Sequence, residues 1–145
     1  MERAYETACI IKGDRDIEIV KDERLIEIGF GLYEGTVVEE RKGSIALFFD
    51  DPQNYVAEKG AESYESLLAR TKAFIENVLF PIEENKPDAT VLISGHGALN
   101  KALFQHLLHK QLKDFWSGVY QGNCAVNKFE IKKGNVRLID EAKYY

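Results

Sequence analysis

The sequence predicts an α/β domain, and three stretches carry that prediction. Thr90 to Ile93 is a short apolar, mostly β-branched run that reads as a buried strand, and it leads through Ser94-Gly-His-Gly97 into residues with helical periodicity. Tyr64, Leu67, Leu68, Thr71, Phe74, Ile75, Val78 and Leu79 follow the i, i+3, i+4, i+7 spacing of one long amphipathic helix. Asn123 to Ile131 and Val136 to Ile139 flank Lys133-Gly-Asn135, the pattern of a terminal antiparallel hairpin.

In chain order, Arg3 to Lys12 carries Ala4, Ala8, Ile10 and Ile11 at helix-compatible positions, and Gly13 ends it. Ile17 to Val20 alternates weakly and is a candidate short strand. Gly29, Gly31 and Gly35 indicate a folded loop. Thr36 to Lys42 is a short helix candidate, and Ile45 to Phe49 is apolar enough for core or for a pocket wall. Asp50 to Gly60 is polar and is expected to cross the surface. Ser63 is the N-cap candidate of the long helix, with Glu65 suited to its positive first turn. Pro81 is expected to kink or end that helix. After the turn at His96, Leu99, Leu103, Leu107 and Leu108 form the buried face of the next helix.

At 145 residues the chain is expected to form a single domain over 1–145, long enough for a real core. A net charge of −5 and the lack of a basic stripe argue against a nucleic-acid surface. They leave room for a small anionic ligand, which needs only a few local donors. Cys9 and Cys124 lack metal-type spacing and are expected to be reduced packing residues. No apolar run is long enough for a membrane span and Met-Glu-Arg-Ala is no signal peptide, so the expected location is cytoplasmic.

A strand that delivers a histidine between two glycines onto a helix N-terminus is a natural anion site, because free N–H groups and the positive end of the helix dipole converge there. Four other stretches extend that signal. Arg3-Ala-Tyr-Glu-Thr-Ala8 resembles the Arg-Ala-x-x-Thr-Ala motif of the histidine phosphatase (phosphoglycerate mutase-like) superfamily. Arg24-Leu-Ile-Glu-Ile-Gly-Phe-Gly-Leu-Tyr-Glu-Gly35 is similar to its Leu-x-Glu-x-x-x-Gly-x-Trp-Glu-Gly loop, with Tyr33 in place of tryptophan. Gly60-Ala-Glu-Ser63 resembles the Gly-Glu-Ser of the phosphatase branch with one inserted alanine, and Ser94-Gly-His-Gly97 matches the second-histidine motif. Phe115-Trp116 and Asn123-Cys-Ala-Val126 resemble the approach to the last strand. The motifs occur in family order.

The resemblance implies a three-layer α/β/α fold and hydrolysis of a small phosphomonoester without metal or other cofactor. A phosphomonoester carries about two negative charges. By resemblance, Arg3 supplies a bidentate guanidinium to the phosphoryl oxygens, and His96 with Gly97 stabilises the transferring group. Glu62 would be the acid that protonates the leaving alkoxide. The Gly29–Gly35 loop reads as support, and Tyr33 and Trp116 as core or pocket wall.

One family element is missing. The nucleophile of the resembled family is a histidine in an Arg-His-Gly motif on the first strand, whereas this sequence has only His96, His106 and His109. Relative to the family, the segment before Arg3 lacks a strand–helix–strand unit of roughly 30 residues or more. Two readings follow: a phosphomonoester hydrolase much weakened or inactive on its own, or a non-catalytic anion-binding or assembly protein. Without its neighbours the strand at Thr90 would have unpaired edges. The expected remedies are a repacked sheet, strands from another copy in a homodimer, or membership of a longer protein.

Overall fold

The computed structural model describes residues 2–36, 43–58 and 60–145. The helix candidate at Thr36 to Lys42 therefore falls almost wholly outside the described residues. Five α-helices and one hairpin form the frame among them: α1 Glu2–Lys12, α2 Ser44–Asp50, α3 Tyr64–Phe74, α4 Phe80–Asn85, α5 Gly97–Leu107, β1 Val126–Lys132 and β2 Asn135–Lys143.

The long helix begins where its sequence says. The Ser63 side chain accepts a hydrogen bond from the Ser66 N–H, satisfying one of the orphan donors of the first turn. Its end differs from expectation. Between α3 and α4 the chain makes a π-turn over Ile75–Leu79, with the Phe80 N–H bonded to the Ile75 carbonyl, and α4 carries the helix on to Asn85. Pro81 stands in the first turn of α4, where its missing N–H removes least.

Two apolar clusters meet across α5. Ile28, Ile45, Phe48, Tyr64, Leu67, Ala98, Ala102 and Phe115 form one; Phe74, Ile75, Leu79, Leu99, Leu103 and Leu107 form the other. Phe48 is fully buried and stacks on Tyr64 at 4.8 Å between ring centroids. Trp116 locks the pair, its Nε1 donating to the Phe48 carbonyl at 2.7 Å and to the Tyr64 hydroxyl at 2.9 Å. Ile45 and Phe48 are thus core, and Trp116 belongs to that aromatic wall. The segment after α2 is less of a surface crossing than its polarity suggests. Pro52 is buried, and Tyr55 packs edge-on against Phe48 and Tyr64.

The terminal hairpin forms with the expected turn. Lys133 and Gly134 both have positive φ, 50° and 73°, the backbone a two-residue type I′ connection requires. Phe129, Ile131 and Val136 pack on the second cluster. On α5 one buried residue breaks the apolar reading. Lys101 is 2% exposed, and its Nζ donates to the carbonyls of Ser117 (2.8 Å) and Val119 (2.9 Å), beside Glu141 at 3.5 Å.

The remaining strand predictions change. β1 and β2 form the only sheet among the described residues. Ala89 to His96 leads into α5 without a ladder, leaving Val91 44% and Leu92 59% exposed. Ile17 to Val20 is likewise unpaired, with Ile17 and Val20 exposed. Strand assignment needs a partner as well as an extended backbone, and neither segment has one among the described residues. Helix α1 forms as expected and ends at Gly13 (φ 53°), but it buries no residue. Cys9 and Cys124 are both exposed free thiols, so neither packs in the core as expected.

Candidate active site

The site is built where the unpaired segment enters α5. His96 is the N-cap residue of α5, with extended φ and ψ of −140° and 171°. Gly95 keeps the approach narrow: a Cβ there would sit 2.8 Å from Cδ2 of the fully buried Leu99. The Ser94 hydroxyl donates to the Ala4 carbonyl at 2.6 Å, tying the turn to the first turn of α1. That contact places Arg3 against His96. The Arg3 guanidinium meets His96 Nδ1 through Nε at 3.4 Å and Nη2 at 3.3 Å. A guanidinium has only donors, so Nδ1 is the accepting nitrogen and Nε2 carries the proton of the neutral ring.

His96 is 8% exposed. Burial pushes its imidazole below the usual range; the Arg3 charge lowers it further, while the Glu27 carboxylate pulls it upward.

Glu27 is the residue that sequence reasoning left out. Its Oε1 accepts from the Leu99 N–H at 3.0 Å and its Oε2 from the Ala98 N–H at 3.3 Å, with a further bond from the Ile28 N–H at 3.1 Å. The first N–H groups of α5, expected to be open to an anion, are thus partly capped by a carboxylate from the preceding loop. Gly97, the first residue of α5, has open space at its Cβ position and makes no such contact. Arg3, Glu27 and His96 line one cleft of about 460 Å³, whose walls include Ile28, Phe30 and Tyr33. Tyr33 is therefore pocket wall. The missed signal was in view: Glu27 is the glutamate of the Leu25-Ile-Glu27 run, set aside with the loop that follows it.

Glu62 lies elsewhere. Its carboxylate forms a fork with Arg70, Oε1 to Nε at 2.8 Å and Oε2 to Nη2 at 2.9 Å, and accepts from the Ser66 hydroxyl at 3.0 Å. It does not line the cleft that holds Arg3 and His96. The structure brings Arg3 and His96 together with Glu27 and keeps Glu62 apart, because the chain between Gly60 and Ser63 pairs with the glycine loop. The Glu62 N–H donates to the Gly29 carbonyl at 2.8 Å, and Phe30 and Ala61 form a β-bridge. The other histidines stay distant in role. His106 Nε2 lies 2.8 Å from the Leu68 carbonyl, and His109 is an exposed residue beyond α5. Among the described residues no cluster of side chains suits a metal ion, and no helix is long and apolar enough to cross a membrane.

The chain belongs to the histidine phosphatase superfamily (branch 1), whose sequence profile matches residues 1–141. It is 31% identical over 123 residues to phosphoserine phosphatase 1 of Hydrogenobacter thermophilus, a match covering 81% of this chain and 55% of that protein. A second relative, the probable 2-carboxy-D-arabinitol-1-phosphatase of Arabidopsis thaliana, is 29% identical over 131 residues, 88% of this chain and 26% of that protein. Among solved structures, YhfR of Bacillus stearothermophilus superposes with a TM-score of 0.83 at 29% identity, over 99% of this chain and 70% of its own. A mycobacterial glucosyl-3-phosphoglycerate phosphatase in complex with inorganic phosphate shares the fold, with a TM-score of 0.81 at 22% identity. The fold is the α/β fold of these phosphatases, and the chain spans just over half the length of the first curated relative.

Proposed function

We propose that this chain supplies the phosphate-holding part of a phosphomonoesterase pocket. Arg3, His96 and the Gly97 N–H bind the phosphoryl group of a small phosphomonoester, and Glu27 handles the proton at the leaving oxygen. The observation that supports the reading is the meeting of a guanidinium, an imidazole and a carboxylate at the N-terminus of α5. Each group has a chemical task. Arg3 presents several N–H donors to phosphoryl oxygens. The Nε2–H of His96 adds a donor that becomes cationic when an anion draws a second proton onto the ring. Glu27 takes the acid role in place of Glu62, because its carboxylate borders the cleft and that of Glu62 is engaged by Arg70. The two curated relatives carry phosphoserine and a carboxyarabinitol phosphate in their names, both small phosphomonoesters, and this is the substrate class we assign.

Turnover by a covalent route needs a nucleophile, and these 145 residues contain no Arg-His-Gly. His106 and His109 do not line the cleft. Taken alone, the chain therefore binds phosphate without forming a phosphohistidine. We further propose that the unpaired Ala89–Ser94 segment, with Val91 and Leu92 exposed, pairs with another strand in a homodimer of this chain, since an exposed apolar edge is a template for strand addition.

Calorimetry with inorganic phosphate, run beside hydrolysis of an aryl phosphate, tests the site. One phosphate should bind per chain, Arg3→Met and His96→Ala should each weaken binding about tenfold or more, and hydrolysis should stay at the uncatalysed rate. Absence of phosphate binding would overturn the pocket. Hydrolysis at the rate of intact phosphatases, abolished by His96→Ala, would overturn the non-catalytic reading.

A further inference from the structure

The Glu62–Arg70 pair has no part in the chemistry proposed above, yet it is better built than a surface ion pair. Both side chains are more than four-fifths buried, and the fork is bidentate. The remaining arm of the same guanidinium points at backbone. Arg70 Nη1 donates to the Arg24 carbonyl at 2.7 Å and to the Ile26 carbonyl at 2.8 Å. The next residue after Ile26 is Glu27. Four hydrogen bonds thus leave one planar group in two directions, toward Glu62 at the head of α3 and toward the two carbonyls that lead into the α5 cap. Glu62 is itself held, by the Ser66 hydroxyl and by its own N–H on the Gly29 carbonyl. The loop carrying Glu27 is therefore clamped on both sides, at 24 and 26 by Arg70 and at 29 by the Glu62 backbone.

We propose that Arg70 is a positioning residue for Glu27, held in place by Glu62, and that this clamp sets the Glu27 carboxylate against the α5 N-terminus and His96. The inference rests on the role given to Glu27 above. A lysine could satisfy the charge of Glu62, but its single ammonium cannot reach Glu62 and both carbonyls in fixed planar geometry. The function of the guanidinium here is its shape. The glutamate of the Gly-Ala-Glu-Ser run then serves the site through Arg70 and without contact with substrate.

The test reads the His96 ring, whose charged neighbours include Arg3 on α1 and Glu27 on the loop. The imidazole titration of His96 is followed by NMR on the ligand-free full chain in wild type, Glu27→Gln, Arg70→Lys and the double variant. Glu27→Gln should move the His96 titration to lower pH, since a carboxylate neighbour that pulls it upward is lost. Arg70→Lys keeps the total charge, so it should move His96 in the same direction only if Glu27 has drifted away. The double variant should then add nothing to Glu27→Gln. A His96 titration unchanged in Arg70→Lys, even with lowered stability, overturns the proposal, as do additive shifts or a His96 indifferent to Glu27→Gln. Should Arg70→Lys fail to fold, Glu62→Gln, which weakens the same fork, is read by the same criteria. Phosphate calorimetry on the wild type reports separately on the pocket, so failure of the clamp and failure of the phosphate-binding reading are distinguishable.

Discussion

Replacing Glu27 by alanine isolates the contact on which the candidate site turns. The substitution removes an ionised acceptor from two N–H groups at the start of α5, on Ala98 and Leu99. Those residues are 3% and 0% exposed, so water replaces the lost acceptor poorly. Loss of an N-cap acceptor costs about 0.5–2 kcal/mol. The carboxylate's interaction with the helix dipole adds roughly 0.3–1 kcal/mol. The sum, about 2 kcal/mol, should appear as a lower urea midpoint at unchanged slope. Glu27→Gln keeps one carbonyl acceptor and loses the charge, so about 1 kcal/mol is expected. Amide exchange gives the local reading: protection at Ala98 and Leu99 should fall about tenfold or more in Glu27→Ala, since each 1.4 kcal/mol is a factor of ten. Sulfate should then stabilise Glu27→Ala more than wild type, because an anion can occupy the vacated N–H groups. A Glu27→Ala protein as stable as wild type, with unchanged protection at both amides, would refute the capping argument.

Three further outcomes are expected. Gly31 has φ 55°, and a Cβ there would lie 2.6 Å from backbone atoms of Gly60 and Ala61. Gly31→Ala should therefore cost about 2 kcal/mol or more in urea unfolding, and a neutral substitution would show that the two loops are not in contact. His96 and His106 are both held below the usual imidazole range, chiefly by burial, with Lys72 contributing at His106 and Arg3 at His96. The unfolded chain then binds more protons than the native one, so stability is full above the ordinary imidazole pKa and falls as pH drops through it toward the lowered values. The urea midpoint should decline from pH 7.5 to 5.5, less steeply in His106→Gln; a flat profile contradicts the burial argument. Leu92, exposed on the unpaired segment, should support self-association, so sedimentation of Leu92→Lys should give monomer where wild type gives dimer. A wild type that sediments only as monomer rules the edge pairing out.

What the sequence made legible was local. Ser63 as an N-cap, the 3.6-residue stripe from Tyr64 to Phe74 and the Lys133-Gly134 turn are each fixed by a few neighbouring residues, and each forms as the pattern requires. The strand at Thr90 failed for a complementary reason. Its β-branched residues favour extended backbone, but a ladder needs a second strand that no pattern within Thr90–Ile93 can supply. Lys101 was invisible because its partners, the Ser117 and Val119 carbonyls, lie 16 and 18 residues away.

The two glutamates show the same limit inside the site. Glu62 has the conspicuous setting, at a helix start two residues after a glycine, where a carboxylate is expected for either chemistry or capping. Glu27 has a local contact in the Ile28 N–H, but that bond is not by itself a reason for a carboxylate. Its reason is 71 and 72 residues away in sequence, at the Ala98 and Leu99 N–H groups. The structure joins the two through one arginine whose fork takes Glu62 and whose other arm takes the backbone before Glu27. Glu27 borders the cleft with Arg3 and His96, and the Glu62 carboxylate is engaged by Arg70. Where a site is assembled from loops that meet only in the fold, the partners that fix a carboxylate lie far from it in sequence, as the Ala98 and Leu99 N–H groups do for Glu27.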